Sequence, residues 1–189
     1  VCDFPFEIVI VDQSNEVDVV VQKFCQEYSF CHYHHITFFK GLPEARNFGW
    51  QKATYDFVLF LDDDITCDEN LLKEHFSILK DAPVGVVAGG IVEIHKTNQE
   101  SKIGDFNYWT ATPLRGFHKP GTFEVIHGGG GNFATKKEVL VKVNGIDENL
   151  TKGAALYEET DFCLRVKQAG YKIMGHSKAS VNHLAAEAG

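Results

Sequence analysis

The chain has 189 residues, a hydrophobic fraction of 44% and a formal net charge of −8. That length suits a single domain with a sizeable core, and 15 Phe residues argue against intrinsic disorder. The negative charge disfavours nucleic acid as a partner, because nucleic-acid binding usually needs a basic face. The 5 cysteines are scattered and form no CxxC pair, which indicates a reducing compartment without a disulfide framework. No apolar run approaches the roughly 18 residues of a membrane span.

The N-terminal half alternates predicted strands and helices. Strands are predicted at 7–11 and 33–39, with a helix between them that has Asn15 as its expected N-cap. A later helix is expected to start at Asp68, and a strand at 84–94 follows it. This alternation is typical of an α/β fold in which a mainly parallel sheet is flanked by helices.

The most informative segment is YDFVLFLDDDI at 55–65. Its consecutive apolar residues predict a strand buried on both faces, and Asp62, Asp63 and Asp64 follow directly. Ligands of open α/β sheets bind at the carboxyl ends of strands, where crowded carboxylates raise one another's pKa unless a cation neutralises them. A solvated acidic turn that caps the next helix is the structural alternative. In an extended segment, Asp62 and Asp64 share a face and Asp63 points away.

The regular alternation lapses between 96 and 121, where Gly, Pro, Asn and Thr predict a long loop or an irregular hairpin. Tyr108 and Trp109 in this loop could stack on a bound ligand or anchor the loop to the core. A run of glycines at 128–131 then precedes a helix predicted at 136–143. Such glycines either cradle a phosphate or let the backbone pass close to a neighbour, and the lack of a Walker lysine favours the second interpretation.

A second acidic cluster, YEETD, opens a helix predicted to end at Ala169. Negative side chains suit a helix N-terminus, which explains one or two of them structurally. Asp161 and Arg165 lie four residues apart and are predicted to form an ion pair. Glu159 has no cation one helical turn away in the sequence, so it is the better candidate for a carboxylate that faces a cleft. A last short strand is predicted at 171–174.

Several segments together resemble family 2 of the glycosyltransferases, inverting enzymes of the GT-A fold. They cover most of the chain: EIVIVDQSNE (7–16), LPEARNFGWQKATYDFVLFLDDD (42–64), GGNFATKKEVLVKVNGIDE (130–148), YEETDFCLRVKQAGYKI (157–173) and VNH (181–183). The resemblance implies a single Rossmann-like GT-A domain with a DxD motif at a strand end. It also implies transfer of a sugar from a nucleotide diphosphate to an acceptor hydroxyl.

The resemblance implies a catalytic role for Glu159, as the general base that takes the acceptor proton. Asp62 and Asp64 match the DxD motif, whose last aspartate usually binds a divalent metal. The first aspartate contacts the ribose or reaches the metal through water. His183 matches a histidine that is a further metal ligand in some members. Oxygen ligands of this kind favour Mn²⁺ or Mg²⁺.

The donor site implied by the resemblance includes Asp12, which would contact the nucleotide base, and Arg46, which would lie near the nucleotide sugar. The implied donor is a nucleotide-diphosphate sugar, most commonly a UDP-sugar in this family. The implied acceptor is a carbohydrate or a lipid-linked molecule. Peripheral membrane association and a cytoplasmic location, at the cytoplasmic face of a membrane, are compatible with these partners.

The family's first strand and helix have no counterpart in residues 1–6. The chain 1–189 is therefore expected to be a single GT-A domain that lacks its N-terminal strand and helix, as a fragment would. Two alternatives remain open at this stage. A non-catalytic sugar- or nucleotide-binding domain of the same fold would tolerate an incomplete nucleotide pocket, and a nucleotidyltransferase of related fold would also use paired aspartates and a metal.

Overall fold

The computed structural model describes residues 4–93, 104–107, 109–110, 112–114, 119–151 and 157–184. Within these ranges the strands are β1 (Ile8–Asp12), β2 (Cys31–His35), β3 (Phe57–Leu61), β4 (Ile65–Cys67), β5 (Val84–Glu93), β6 (Asp105–Asn107), β7 (Thr112–Leu114), β8 (Thr122–Val125), β9 (Asn132–Lys136) and β10 (Lys172–His183). The helices are α1 (Val19–Glu27), α2 (Leu42–Lys52), α3 (Leu71–Leu79), α4 (Lys137–Lys142) and α5 (Glu158–Gln168), with a short 3₁₀ helix at Glu148–Thr151.

Most of the described strands belong to a 6-stranded mixed sheet with the order β3-β9-β5-β10-β4, in which β8 also pairs with β10. Strands β3, β5 and β10 run in one direction, and β9, β4 and β8 run against them. Strands β1 and β2 form a separate parallel pair, and β6 and β7 form an antiparallel hairpin. The α/β architecture predicted from the alternating elements is confirmed. The sheet is mixed where a mainly parallel one was expected, since β5–β10 is its one parallel pair among the described strands.

The core lies on both faces of the central strand β5. Val86 packs in one cluster with Phe133 and Phe162, which brings α5 against the sheet. Val87 packs in another cluster with Leu79 of α3. Successive residues of a strand point to opposite faces, so these two valines bury both sides of the sheet. Each fully buried side chain of this kind contributes roughly 1.5–3 kcal/mol relative to an exposed one.

Strand β9 was not predicted, because its sequence NFATK has neither an apolar run nor a clean alternation. It nevertheless lies between β3 and β5, and all five of its residues are buried. Its polar side chains find partners there: Thr135 Oγ1 donates to Gly85 O at 2.7 Å, and Lys136 Nζ donates to Asp81 O at 3.1 Å. Buried polar groups are tolerated when they are hydrogen-bonded in this way.

Strand β10 is much longer than the segment predicted at 171–174. Apolar residues become sparse after Met174, but the backbone continues to pair with β5 and, at its end, with β4. The pairing of β10 with β5 shifts register between His176 and Ser180. This extension carries His183 to the edge of the sheet where β3 ends.

Two helix starts differ from the sequence prediction. Helix α1 is capped by Asp18, whose carboxylate accepts from the backbone N–H groups of Val20 and Val21, and Asn15 lies before the cap. Helix α3 begins at Leu71, because the carboxylate of Asp68 binds the Asn70 backbone N–H at 2.8 Å in a turn that precedes it. Local hydrogen bonds of this kind compete with helix initiation.

The cysteines also differ from expectation. Cys25 in α1 and Cys31 at the start of β2 are joined as a disulfide, and Cys67 and Cys163 are free thiols. The scattered positions of the cysteines along the sequence gave no sign of the pair, which forms where α1 is followed by β2.

Strand β2 ends at His35, four residues before the predicted end at 39.

The region predicted as a loop or irregular hairpin contains the hairpin β6–β7. Trp109 at its tip is almost fully exposed, and Tyr108 lies outside the described residues. Helix α5 ends as predicted, with Ala169 as C-cap and Gly170 in the left-handed conformation. Among the described residues, no helix is long and apolar enough to cross a membrane.

Candidate active site

The acidic run at the end of β3 lies at the edge of the sheet. Asp62 and Asp64 are half-buried and Asp63 is exposed, as the alternation of an extended segment predicts. Strand β4 begins one residue after Asp64 and pairs with the end of β10, and this pairing places His183 opposite Ile65. The Leu184 backbone N–H donates to Asp64 O at 2.8 Å and fixes the end of β10 against the acidic run.

Three side chains converge at this point. His183 Nε2 lies 3.2 Å from Asp64 Oδ1 and 4.0 Å from Asp62 Oδ2. One ligand atom from each of Asp62, Asp64 and His183 can be chosen so that all lie within 4.8 Å of one another. Two carboxylates and an imidazole fit a divalent ion such as Mn²⁺, which accepts both oxygen and nitrogen ligands. The predicted metal residues are therefore brought together.

Burial raises the pKa of Asp62, and the adjacent Asp64 adds to this effect. Arg46 and His183, which lie nearby, act in the opposite direction and partly offset the rise in this pKa. A buried carboxylate beside another carboxylate is stabilised in its ionised form by a cation. The electrostatics of the cluster thus favour occupation by a metal ion.

The glycine-rich loop before β9 packs directly against this cluster. A Cβ added to Gly131 would lie 2.4 Å from Asp62 Oδ2, so no side chain fits there. A Cβ added to Gly130 would lie 3.4 Å from Glu159 Oε2 and 3.3 Å from Arg46 Nη2. The glycines therefore let the backbone pass between the two acidic clusters, which agrees with the close-approach interpretation of the sequence.

Arg46 on α2 links these groups. Its guanidinium is buried, with 7% of the side chain exposed, and Nη1 hydrogen-bonds to Glu158. Nη2 donates to Gly130 O at 2.8 Å and lies 3.8 Å from Asp62 Oδ1. The guanidinium also lies over the Phe133 ring, 5.4 Å from its centroid. The predicted donor-site arginine is thus held beside the predicted metal ligands.

The N-terminus of α5 presents two consecutive glutamates. Tyr157 precedes them with a φ of 85°, a left-handed conformation that is unusual for a residue with a side chain. Glu158 and Glu159 are both buried, with 3% and 8% exposed. Glu158 binds Arg46, whereas Glu159 lies against Gly130. The predicted ion pair between Asp161 and Arg165 is confirmed, with 2.7 Å between Oδ2 and Nε.

Asp12 lies at the end of β1, as predicted. Its carboxylate accepts hydrogen bonds from Ser14 and from the hydroxyl of Tyr33 on β2. These hydrogen bonds lower the pKa of Asp12 to about 2, with Ser14 the larger cause. Asp12 is therefore held ionised and oriented, ready to accept a hydrogen bond from a ligand N–H group.

Asp12, Arg46 and Asp62 line one large cleft, with a volume of about 1520 Å³. Strands β1 and β3 line it along their lengths, and α2, α3 and the segments before β1 and after β3 contribute further residues. Glu159 and His183 are not among the residues that line it. The cleft thus connects Asp12, the predicted base-recognition residue, with Asp62 of the predicted metal cluster.

Sequence reasoning missed two residues of this arrangement. Glu158 was one of several acidic residues at a helix start, and its partner Arg46 is 112 residues away, so no local pattern reveals the pair. Tyr33 was an unremarked strand residue, although β1–β2 pairing places it near Asp12. Conversely, Asn47 beside Arg46 has a structural role, since its amide binds Ile146.

Two similar solved structures are those of glycosyltransferases. The crystal structure of GalNAc-T7 with UDP, GalNAc and Mn²⁺ matches with a TM-score of 0.75 at 17% identity, over 94% of this chain and 37% of that one. The mannosyltransferase PcManGT of Pyrobaculum calidifontis, in complex with GDP-Man and Mn²⁺, matches with a TM-score of 0.69 at 18% identity, over 99% and 51% of the two chains. The chain has the GT-A fold.

Sequence comparison then gives the family. The model of Glycosyl transferase family 2 matches residues 2–143, well over half of the chain, so the chain belongs to that family. The glucosyl-dolichyl phosphate glucuronosyltransferase of Haloferax volcanii is 26% identical over 150 residues, which are 76% of this chain and 48% of the relative. The O-antigen chain rhamnosyltransferase WbaN of Salmonella anatum is 30% identical over 132 residues, 68% of this chain and 41% of the relative. The chain thus spans less than half the length of these curated relatives.

Proposed function

We propose that this domain transfers a sugar from a nucleotide-diphosphate sugar to an acceptor hydroxyl, in a metal-dependent reaction that inverts the anomeric carbon. The observation that supports this most strongly is the convergence of Asp62, Asp64 and His183 beside the buried pair Arg46–Glu158 and Glu159. A domain that only bound sugar would have no physical need for this concentration of carboxylates.

A divalent ion, Mn²⁺ or Mg²⁺, would be held by Asp64, Asp62 and His183. Such an ion supplies charge stabilisation to a leaving diphosphate. The protein's own contribution is to fix the ligands: β4 and β10 pair next to Asp64, and Gly131 leaves room for Asp62. Arg46 supplies a fixed positive charge 3.8 Å from Asp62, near the position where the phosphates would lie.

Glu159 would be the general base. In this role its carboxylate takes the proton of the acceptor hydroxyl as the hydroxyl oxygen forms its bond to the anomeric carbon and the bond to the diphosphate breaks. Attack from the face opposite the leaving group inverts the configuration. A positioned base of this kind typically contributes about 10²–10⁴-fold to the rate. Its location next to Gly130, across from the metal cluster, suits this role.

The donor would occupy the cleft between β1 and the metal cluster. Asp12 would accept a hydrogen bond from the base, and Arg46 would lie near the sugar and phosphates. Structural neighbours were solved with UDP or with GDP-Man, so a UDP-sugar is the first donor to test and a GDP-sugar the second. The acceptor would be a carbohydrate or a lipid-linked molecule, as the names of the Haloferax and Salmonella relatives specify for those proteins.

The same proposal places the reaction in the cytoplasm, with peripheral association at the cytoplasmic face of a membrane when the acceptor is lipid-linked. The structure joins Cys25 and Cys31 as a disulfide, whereas a reducing compartment would keep them as thiols, so the state of this pair in the cell discriminates between locations. Alkylation of intact cells, followed by mass spectrometry of the peptide that contains both residues, tests this location. Free thiols support it, and a disulfide in the cell contradicts it.

We further propose that an additional strand completes the domain between β1 and β3, for which any residues encoded before Val1 are the first candidates. Among the described residues, β1 pairs only with β2 and β3 only with β9, and their other edges border the same cleft. Ile8, Phe57 and Leu61 on these strands are about 41% exposed. Unpaired strand edges readily accept another strand.

This proposal is tested by amide hydrogen exchange on β1 and β3, with and without the naturally encoded upstream residues. Slower exchange on the two cleft-facing edges in the longer chain supports it. Equal exchange in both chains contradicts it.

The function itself is tested with the natural full-length protein, Mn²⁺ and a panel of nucleotide sugars, by measuring release of nucleoside diphosphate. Slow hydrolysis that yields diphosphate supports the glycosyltransferase. Binding without release would favour a non-catalytic domain, and release of pyrophosphate would favour a nucleotidyltransferase.

A further inference from the structure

The ion pair between Arg46 and Glu158 is the most deeply buried pair of opposite charges at the site, with 7% and 4% of the two side chains exposed. It joins α2 to the first residue of α5. Removing two charges from water is costly, and replacement of a buried pair by apolar residues is often neutral for stability. A contribution to folding stability therefore does not by itself explain why these two charges are buried together.

The second nitrogen of Arg46 indicates what the pair does. With Nη1 bound to Glu158, the planar guanidinium aims Nη2 at Gly130 O, 2.8 Å away, and holds it 3.8 Å from Asp62 Oδ1. That separation exceeds a hydrogen bond. The fork of an arginine is rigid, so a partner that fixes one nitrogen also fixes the other.

We propose that Glu158 is a positioning residue for the donor: it holds Arg46 away from a direct hydrogen bond with Asp62, so that Asp62 stays available to the metal and Arg46 to the diphosphate. This inference rests on the proposed function. It assigns different roles to two adjacent glutamates, because Glu158 acts through Arg46 and Glu159 acts on the acceptor.

The contacts and burial of Glu158 argue against a role as the general base. Its carboxylate accepts a hydrogen bond from a buried cation, and little of the side chain is exposed. A general base must come within hydrogen-bond reach of the proton that it takes. Arg46 Nη2 lies 3.8 Å from Asp62 Oδ1, and closure of this gap without the carboxylate of Glu158 would make Arg46 compete with the metal for Asp62.

The variant Glu158→Gln tests this role, because it keeps the size of the side chain and removes its charge. Hydrogen bonds to charged groups contribute about 1.5–3 kcal/mol, which corresponds to roughly 10–100-fold in affinity. We expect the Kd of UDP in saturating Mn²⁺ and the donor KM to rise by about that factor, while kcat changes less than about 3-fold. Glu158→Asp keeps the charge and should restore part of the affinity.

Asp161→Asn is the matched control, since it removes an acid from the same helix that pairs only with the partly exposed Arg165. It should leave UDP binding and both kinetic constants unchanged. Calorimetry gives the Kd values, and initial rates of diphosphate release give KM and kcat separately. If Glu158→Gln does not fold, the double variant Arg46→Met/Glu158→Leu replaces the pair with apolar residues of similar size, and it should fold but bind UDP at least about 10-fold more weakly.

Unchanged UDP affinity and donor KM in Glu158→Gln, or in the double variant Arg46→Met/Glu158→Leu, would overturn the positioning role. A loss of kcat in Glu158→Gln without any change in affinity would also overturn it, because Glu158 would then act on the chemical step. Failure of the unmodified full-length protein to bind UDP or GDP with Mn²⁺ would instead overturn the proposed function, so the two failures are distinguishable.

Discussion

The two acidic clusters contain the same kind of side chain in opposite environments. Asp62 and Asp64 are half-buried at a strand end, with His183 as a neighbour, whereas Glu158 and Glu159 are buried at a helix start. In the proposed reaction the first cluster would hold a metal ion. In the second cluster Glu158 binds Arg46, and Glu159 would take the acceptor proton. Under this proposal the surroundings of the carboxylates, more than the residue type, would separate metal binding from acid–base chemistry.

The largest effect expected is on Glu159. Replacement by Gln removes the base but keeps its size, so kcat should fall by about 10²–10⁴-fold. UDP binding in Mn²⁺ should change little, because the metal cluster and Arg46 remain intact. Rates of sugar transfer, measured beside Asp161→Asn as control, test this. Equal transfer rates for Glu159→Gln and the unmodified protein would show that another residue is the base, and the two acidic clusters would then not differ in the way proposed.

A second large effect is expected on Asp64. Asp64→Asn removes a negative ligand atom from the metal cluster, so Mn²⁺ affinity should fall by more than the roughly 10–100-fold typical of outer-shell partners. Asp63→Asn is the matched control, since Asp63 is exposed and outside the cluster of potential ligands. Titration with Mn²⁺ monitored by calorimetry measures both. If the two variants lose the same affinity, the cluster binds cations by general charge rather than by ligand geometry.

The smallest effect is expected on the pH dependence of stability and concerns His75, which lies near the cluster of Asp62, Asp64 and His183. Buried His75 hydrogen-bonds Asn132, the residue after Gly131, at 2.8 Å. Burial lowers the pKa of His75 to about 4. The native state therefore keeps His75 neutral, whereas in the unfolded chain His75 takes up a proton below its ordinary pKa of 6.5. The contribution of neutral His75 to the free energy of unfolding is fully present above pH 6.5 and is lost as the pH falls towards 4.

The shift from 6.5 to about 4, at about 1.4 kcal/mol per pH unit, gives a loss of about 3 kcal/mol. His75→Gln keeps an N–H donor near Asn132 and cannot titrate, so its free energy of unfolding should depend less on pH over this range. Urea unfolding at pH 7 and pH 4 measures the difference. The same loss in both proteins would show that other groups, and not His75, make the site region sensitive to acid.

Much of this arrangement could be predicted from the sequence, because it depends on local patterns. An apolar run followed by aspartates identified β3 and the position of Asp62 and Asp64, the predicted metal ligands, and helical spacing identified the pair Asp161–Arg165. The resemblance to family 2 then supplied Glu159. These signals occupy a few adjacent residues, where strand and helix periodicity determine which side chains share a face.

The parts that sequence reasoning missed depend on long-range pairing. Strand β9 carries polar residues that are stable only because β3 and β5 lie on either side of it. The extension of β10 beyond Met174 relies on β5 and β4 as partners. The link between Arg46 and Glu158 spans most of the chain. In each case the stabilising partner is distant in sequence, so no window of neighbouring residues contains the information.

Strand β10 has a consequence for the coupling of folding to ligand binding. It pairs with β5, β8 and β4, and its last residue is His183. A metal ion bound at His183 and Asp64 would tie the end of this strand to the end of β3 in the native state, and the unfolded chain would lose that ligand geometry. By mass action, such an ion raises the free energy of unfolding of the sheet itself. Metal availability would then regulate the lifetime of the folded domain as well as its chemistry.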